Sequence, residues 1–225
     1  MSTPIDSIAI SRAFLAPERP FDRWHSHYAR WKLAHDPLYP GVLPLLRDDP
    51  HPLLDLGCGI GLLAHVLRGA GATQPYKGVD FDATKIARAR DAATRKQLRD
   101  VAFDTADLSL GVPMHHGSVS ILDMLQYLPE PLQSNVVSGA IACLAPGAQL
   151  VIRTGLEDSS ARSRITDVTD RIGHRIGWMR SAPQRYPRRE TLTGMLESAG
   201  LEVAWQPHLG RNLFNNWLVS ARRPA

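Results

Sequence analysis

The sequence predicts an α/β chain built on a doubly wound, mostly parallel sheet of seven strands with an antiparallel last strand. Three observations carry that reading. Short apolar runs alternate with helical patterns between residues 53 and 152, and such alternation builds parallel strands joined by right-handed crossovers. The first of these runs, Leu53-Leu54-Asp55-Leu56, passes straight into a glycine turn that opens a helix. Near the carboxyl end the strand-like runs Leu201–Trp205 and Trp217–Ala221 are joined by a connection too short for a parallel crossover, which makes that pair antiparallel.

In chain order, Phe21, Trp24, Tyr28 and Trp31 recur at spacings of 3, 4 and 3, one face of an amphipathic helix. It should stop near Asp36-Pro37, because a residue before proline is pushed out of the helical region. Pro37, Pro40, Pro44, Pro50 and Pro52 then punctuate the chain and separate this piece from the middle. Leu53–Leu56 reads as a strand and residues 61–68 as a helix. Tyr76–Val79 and Ala83–Arg95 form the next strand and helix. Val101–Phe103 and Val119–Leu122 are the third and fourth strands. Pro131–Leu144 is a helix closed by Ala145-Pro146-Gly147, and Gln149–Ile152 is the fifth strand. Ile165, Val168, Ile172, Ile176 and Met179 form a helical stripe beside Arg164, Arg171 and Arg175, so Asp158–Met179 reads as an insertion over the sheet's carboxyl end. Glu190–Ala199 is a helix stopped by Gly200. The expected organisation is a single domain. It comprises a helical lid over residues 1–50, a cofactor-binding core over 51–154, a helical insertion over 155–189, and a final helix with antiparallel strands over 190–225.

Composition narrows the class. Hydrophobic residues at 44% and charged residues at 21% of 225 exclude a disordered or fibrous chain. Two cysteines, Cys58 and Cys143, exclude a disulfide scaffold. The first residues lack a basic region followed by an apolar run, and no window offers 18 uninterrupted apolar residues, so the expectation is a soluble, cytoplasmic protein without a membrane span. Residues 153–225 hold 12 arginines, no lysine and 7 acids, so the formal excess of positive charge lies in the last third. It is either a solubilising surface or a patch that receives an anionic substrate, carrier or nucleic acid.

The chemistry is concentrated in Asp55-Leu56-Gly57-Cys58-Gly59-Ile60-Gly61. Glycines allow positive φ and let a ligand approach the backbone, and ligands of open α/β sheets bind at this carboxyl-end crevice. A dinucleotide fingerprint from Gly57 needs a third glycine at position 62, which is Leu62. A Walker loop needs a lysine that does not follow here. Asp55, two residues upstream, would repel a pyrophosphate but suits a ligand bearing an ammonium. S-adenosylmethionine carries both an ammonium and a sulfonium.

At these residues the chain resembles the class I S-adenosylmethionine-dependent methyltransferases, whose fold is Rossmann-like, and the resemblance runs from about Leu53 to Arg222. It implies that Asp55, Gly57, Cys58, Gly59 and Gly61 serve the methionine part, with Asp55 acting on the ammonium directly or through water. Gly78-Val79-Asp80-Phe81-Asp82 looks like the second motif. There Asp80 would accept hydrogen bonds from both ribose hydroxyls, Phe81 would lie beside it, and Asp82 reads as a helix N-cap. Ala106-Asp107-Leu108 resembles the segment in which an acid takes the adenine amino group and a following amide serves the ring. Ile121-Leu122-Asp123-Met124-Leu125-Gln126-Tyr127-Leu128 resembles the fourth motif, which puts Asp123 and Met124 beneath the donor. Taken singly, each acid is as well explained by the turn preference of aspartate.

On the acceptor side, many small-molecule members of that family carry histidine where Gln126 stands, or beside it. Gln126 can orient a substrate through its amide. Tyr127 either stacks on an aromatic acceptor or is a packed residue with its hydroxyl satisfied. His25, His27, His35, His174 and His208 lie on lid elements, His115-His116 reads as surface, and no base is assigned. Arg171 and Arg175 are substrate-side candidates, although Asp167 and Arg171 also stand four apart as a simple helix pair. Arg188-Arg189 opens a helix, where positive charge opposes the dipole, and hints at an external anion. The segment Tyr28-Ala29-Arg30-Trp31-Lys32-Leu33-Ala34-His35-Asp36-Pro37-Leu38-Tyr39 resembles methyltransferases of bacterial aryl-polyene, xanthomonadin-type pigment clusters. That likeness implies secondary metabolism and O-methylation of an aromatic head group, presented by an acyl carrier protein, with Tyr28 and Arg30 in a lid. Two rivals stay open, an RNA methyltransferase and a non-catalytic S-adenosylmethionine-binding subunit. Against the first, an Asn/Asp-Pro-Pro-Tyr/Phe motif is absent. No cluster of acids suggests a metal.

Overall fold

The computed structural model describes residues 5–15, 23–157, 185–208 and 215–225. They divide into two compact units, Met1–Asp107 and Leu108–Ala225.

In the first unit Ser7–Ser11 (α1) starts at Asp6, whose carboxylate accepts the Ala9 amide at 2.8 Å. Trp24–His35 (α2) stops where proline demands, with Asp36 in extended backbone. The face it packs differs from the expected one. Ala29 and Leu33 are buried, whereas Trp24 and Trp31 stand 48% and 44% exposed. Asp36, also buried, is bonded to the Lys32 ammonium and, at 2.9 Å, to the Leu38 amide. Within the proline-punctuated stretch, Leu38–Leu46 (α3) is a helix. Pro40 falls in its first turn, where an N–H has no helical acceptor. Pro44 removes one interior bond, and the burial of Leu38, Tyr39, Val42, Leu43 and Leu46 offsets that loss.

Leu53–Leu56 (β1), Tyr76–Asp80 (β2) and Val101–Thr105 (β3) pair in parallel in the order β3-β2-β1. The crossovers are Leu62–Gly69 (α4) and Ala83–Arg95 (α5). Residues Leu62 to Leu67 of α4 are all buried, His65 included. The Arg68 guanidinium gathers the loops at the end of α4, donating to the carbonyls of Arg99, Ala72, Gln74 and Asp100 at 2.7–3.1 Å.

In the second unit Ser118–Leu122 (β4), Gln149–Gly155 (β5), Glu202–Pro207 (β6) and Asn216–Arg222 (β7) stand in the order β4-β5-β7-β6. β4 and β5 are parallel, and β7 runs antiparallel to both its neighbours. That confirms the antiparallel closing pair. All seven residues of β5 are buried. Glu130–Ala142 (α6) and Arg189–Ser198 (α7) complete the unit. Phe21 and the expected insertion Asp158–Met179, with Arg164, Arg171, His174 and Arg175, lie outside the described residues. No helix among the described residues is long and apolar enough to cross a membrane.

Two measurements follow. Arg68→Met should lower the unfolding free energy by about 2 kcal/mol in urea, since four carbonyls lose a charged donor. Burial, with Lys96 nearby, pulls the His65 imidazole down from its ordinary 6.5 to about 4. The unfolded chain therefore takes up that proton first: stability is complete above pH 6.5 and falls as pH drops toward 4, by about 3 kcal/mol. In His65→Leu the decline between pH 7 and 4 should be smaller by that amount.

Candidate functional site

Strand β1 delivers its chain into a turn in which Gly57, Gly59 and Gly61 have φ of 74°, 57° and 78°. Each is in the left-handed region that glycine enters without penalty. The amides of Gly57 and Cys58 both donate to the Val79 carbonyl, at 2.8 and 3.0 Å, and the Gly59 amide donates to Asp80 Oδ2 at 2.9 Å. Packing enforces glycine at Gly61 and also at Gly78. A Cβ on Gly61 would stand 2.6 Å from Phe103 Cζ, and one on Gly78 would stand 2.8 Å from Cys58 Sγ. At Gly59 nothing lies within 4 Å of such an atom, so the backbone there is open to approach.

Two buried carboxylates accompany the turn. Asp55 on β1 is buried and accepts the Tyr76 hydroxyl at 2.6 Å. Asp80, ending β2, accepts Gly59 N on Oδ2 and Asp82 N on Oδ1, both at 2.9 Å, and no cation pairs with it among the described residues. Burial first, then the charges of Asp55 and Asp80, pushes the Cys58 thiol well up. Cys58 is thus an uncharged packing group rather than a nucleophile. Asp82 caps α5 as expected, through the Thr84 amide at 2.9 Å and the Lys85 amide at 3.4 Å. Phe81 is 65% exposed at the strand's exit. The Ala106 amide donates to the Asp80 carbonyl at 3.1 Å, which leads the exposed Asp107 past the same strand end. The first unit therefore gathers Asp55, Gly57, Cys58, Gly59, Gly61, Asp80, Phe81 and the approach to Asp107. Tyr28 sits half-buried on α2.

In the second unit Leu108 opens a 3₁₀ turn, Leu108–Leu110. Asp123 follows β4 at a φ of 55°. Its carboxylate is gripped at both oxygens by the buried Arg153 guanidinium, at 2.6 Å on Oδ1, while its amide donates to the Arg153 carbonyl at 2.8 Å. Met124 precedes a second 3₁₀ turn, Leu125–Tyr127. Gln126 is a candidate for orienting a substrate through its amide. It is buried, donates to the Asp123 carbonyl at 3.2 Å, and has Thr154 Oγ1 3.4 Å from its Oε1. Tyr127 is half-buried at the end of that turn. His115 bonds the Ser118 carbonyl at 3.0 Å.

The basic last third is largely structural where it is described. Arg188 donates to Glu157 at 2.8 Å, and Arg189 lies over the rings of Trp205 and Trp217 at 4.9 and 4.8 Å. At this helix start, read as hinting at an external anion, a carboxylate and two indoles engage the two arginines. Arg153 pairs with Asp123, and Arg185 pairs with Glu130 at 2.8 Å. Arg222 and Arg223 reach the carbonyls of Gly147 and Ile141. Among the described residues no group of three or more His, Cys, Asp or Glu is placed to hold a metal ion.

Sequence reasoning missed Tyr76, Phe103 and Arg153. The signals were present. A tyrosine at the start of a buried strand and an arginine inside Gln149–Gly155 each require a buried polar partner.

Comparison with known proteins gives a consistent result. The family described as Methyltransferase domain matches residues 26–206. A ubiquinone biosynthesis O-methyltransferase of Thiobacillus denitrificans is 30% identical over 142 residues, 59% of this chain and 57% of that protein. The chain thus spans under two thirds of that relative's length. Its counterpart in Ralstonia nicotianae is 24% identical over 225 residues, 90% of each chain. Among solved structures, magnesium protoporphyrin IX methyltransferase (ChlM) from Synechocystis PCC 6803 with bound SAH aligns with a TM-score of 0.63 at 17% identity, over 94% of this chain and 91% of that one. That likeness shows the fold, a seven-stranded, mostly parallel Rossmann-like sheet with an antiparallel strand.

The glycine turn makes a paired prediction. Gly61→Ala should cost about 1–3 kcal/mol of stability, because its Cβ must displace the Phe103 ring. Gly59→Ala meets no neighbour and should cost only the left-handed strain, about 1–2 kcal/mol. Denaturant unfolding of both variants checks the order.

Proposed function

The chain belongs to the Methyltransferase domain family, an enzyme family, and from that membership we propose that it transfers a methyl group from S-adenosylmethionine to an oxygen of a small acceptor. The observation that carries the reading is the turn: three glycines at positive φ, tied to a buried Asp80 that has no cation partner among the described residues. A carboxylate has about four acceptor positions, and two backbone amides occupy two of them here. The others suit adjacent hydroxyls such as those of a ribose. The bare backbone at Gly59 and the buried charge of Asp55 suit a slim, cationic methionine end. The residues present therefore fit the donor.

Bound S-adenosylmethionine supplies an electrophilic methyl on a sulfonium sulfur. On this reading Gly57, Gly59 and Gly61 lie along the methionine part, Asp55 faces its ammonium, Asp80 accepts from the ribose hydroxyls, and Asp107 takes the adenine amino group. The roles that the motif resemblance gives Phe81, Leu108, Asp123 and Met124 belong to the same proposal. What such a chain contributes to a displacement at carbon is mainly alignment, worth about 7–11 kcal/mol.

Oxygen as the accepting atom is supported by relatives named for ubiquinone biosynthesis O-methylation. An aromatic or carrier-bound acceptor in secondary metabolism is the finer form of the proposal, supported by the pigment-cluster likeness of residues 28–39. A cytoplasmic setting is supported by the unbridged Cys58 and Cys143.

Calorimetric titration with S-adenosylhomocysteine, with NAD⁺ as control, tests the donor. Micromolar binding of the first alone is expected. Binding of NAD⁺ instead would overturn the reading, and turnover with phenols separates an enzyme from a binding subunit. Asp80→Asn should weaken S-adenosylhomocysteine by tenfold or more, through the loss of charge-assisted acceptance.

A further inference from the structure

Asp55 and the turn rest on a pair of aromatic rings that no motif includes. Tyr76, at the start of β2, is buried with its hydroxyl 2.6 Å from Asp55 Oδ2, the length of a charge-assisted O–H···O⁻ bond. Its ring meets Phe103 of β3 edge-on, with centroids 5.7 Å apart at 62°. Phe103 is the same ring that lies against Gly61 and Gly78. The Tyr76 hydroxyl therefore has little freedom to swing, and neither has the carboxylate it holds. Burial, and next the charge of Asp55, pushes the Tyr76 phenol well up, so it keeps its proton and remains a donor. The Tyr76 hydroxyl is a neutral donor, so its bond fixes the direction of one oxygen of Asp55 without itself cancelling the charge.

We propose that Tyr76 is a positioning residue that aims the Asp55 carboxylate at the ammonium of the donor's methionine end, so that the chain selects nucleoside thioethers that carry an α-amino group. The inference rests on the donor reading above and adds to it a determinant of specificity. Tyr76 touches Asp55 and acts through it. Tyr76→Phe removes the hydroxyl alone and leaves the ring against Phe103.

The test uses two probes that share the adenosine and the thioether, S-adenosylhomocysteine and 5′-methylthioadenosine; only the first has the amino-acid end. Calorimetry is run on the full chain and on Tyr76→Phe, Asp55→Asn and the double variant. Tyr76→Phe should weaken S-adenosylhomocysteine about tenfold and leave 5′-methylthioadenosine within twofold, which also shows that the pocket is folded. The double variant should be no weaker than Asp55→Asn alone. Equal losses for both probes would make Tyr76 a packing residue and overturn the proposal, as would an unchanged affinity for S-adenosylhomocysteine. If Asp55→Asn leaves that affinity unchanged, the ammonium assignment itself is wrong and the inference falls with it. If the unaltered chain binds neither probe, the donor reading fails first.

Discussion

The tie between the glycine turn and the end of β2 is the constraint on which the first unit depends. Three successive amides, those of Gly57, Cys58 and Gly59, all terminate on Val79 or Asp80. An anionic acceptor at the last of them makes that bond stronger than a neutral one. Once the three are made, the exit of β1 and the first turn of α4 have one course, and it passes through left-handed backbone at Gly57, Gly59 and Gly61. Phe103 sits so close to Gly61 and Gly78 that no side chain fits at either position. The glycine motif is therefore a packing solution in its own right.

Burying two carboxylates near that turn carries a desolvation cost, and hydrogen bonds reduce it. Asp80 meets the cost with two backbone amides, and Asp55 meets part of it with the Tyr76 hydroxyl. Neutral donors satisfy oxygens but leave the net negative charge in place. Its effect is visible in the Cys58 thiol, which is pushed up by burial and then by both acids. A site of this kind favours cationic and hydroxyl-rich ligands over phosphates.

The second unit solves a different problem with the opposite pairing. Arg153, buried in β5, grips Asp123 after β4 and holds it in left-handed backbone that aspartate enters at a cost. Gln126 and Thr154 extend the same set of bonds. The other described arginines of this region are likewise engaged, by Glu130, Glu157, two tryptophans and main-chain carbonyls. Formal charge in a sequence segment is thus a poor guide to an anion-binding surface when acids and aromatic rings lie within reach.

Much of the fold was legible from residue order alone. The parallel strands, the crossover helices α4 to α6, the Asp82 cap and the antiparallel β7 all depend on local periodicity, turn chemistry and connection length. Asp55 and the three glycines stood out for the same reason, since a strand, a tight turn and a helix start are consecutive in the chain. Asp80 was marked instead by the resemblance to the family's second motif. Contacts between distant residues decided the rest. The face of α2 that packs holds Ala29 and Leu33, while Trp24 and Trp31 of the aromatic stripe stay exposed. The proline-containing α3 exists because its apolar side chains are buried. Tyr76 meets Asp55 across 21 residues, and Arg153 meets Asp123 across 30. Local pattern specifies how the chain runs, but a buried polar group finds its partner only when the sheet brings separate strands together.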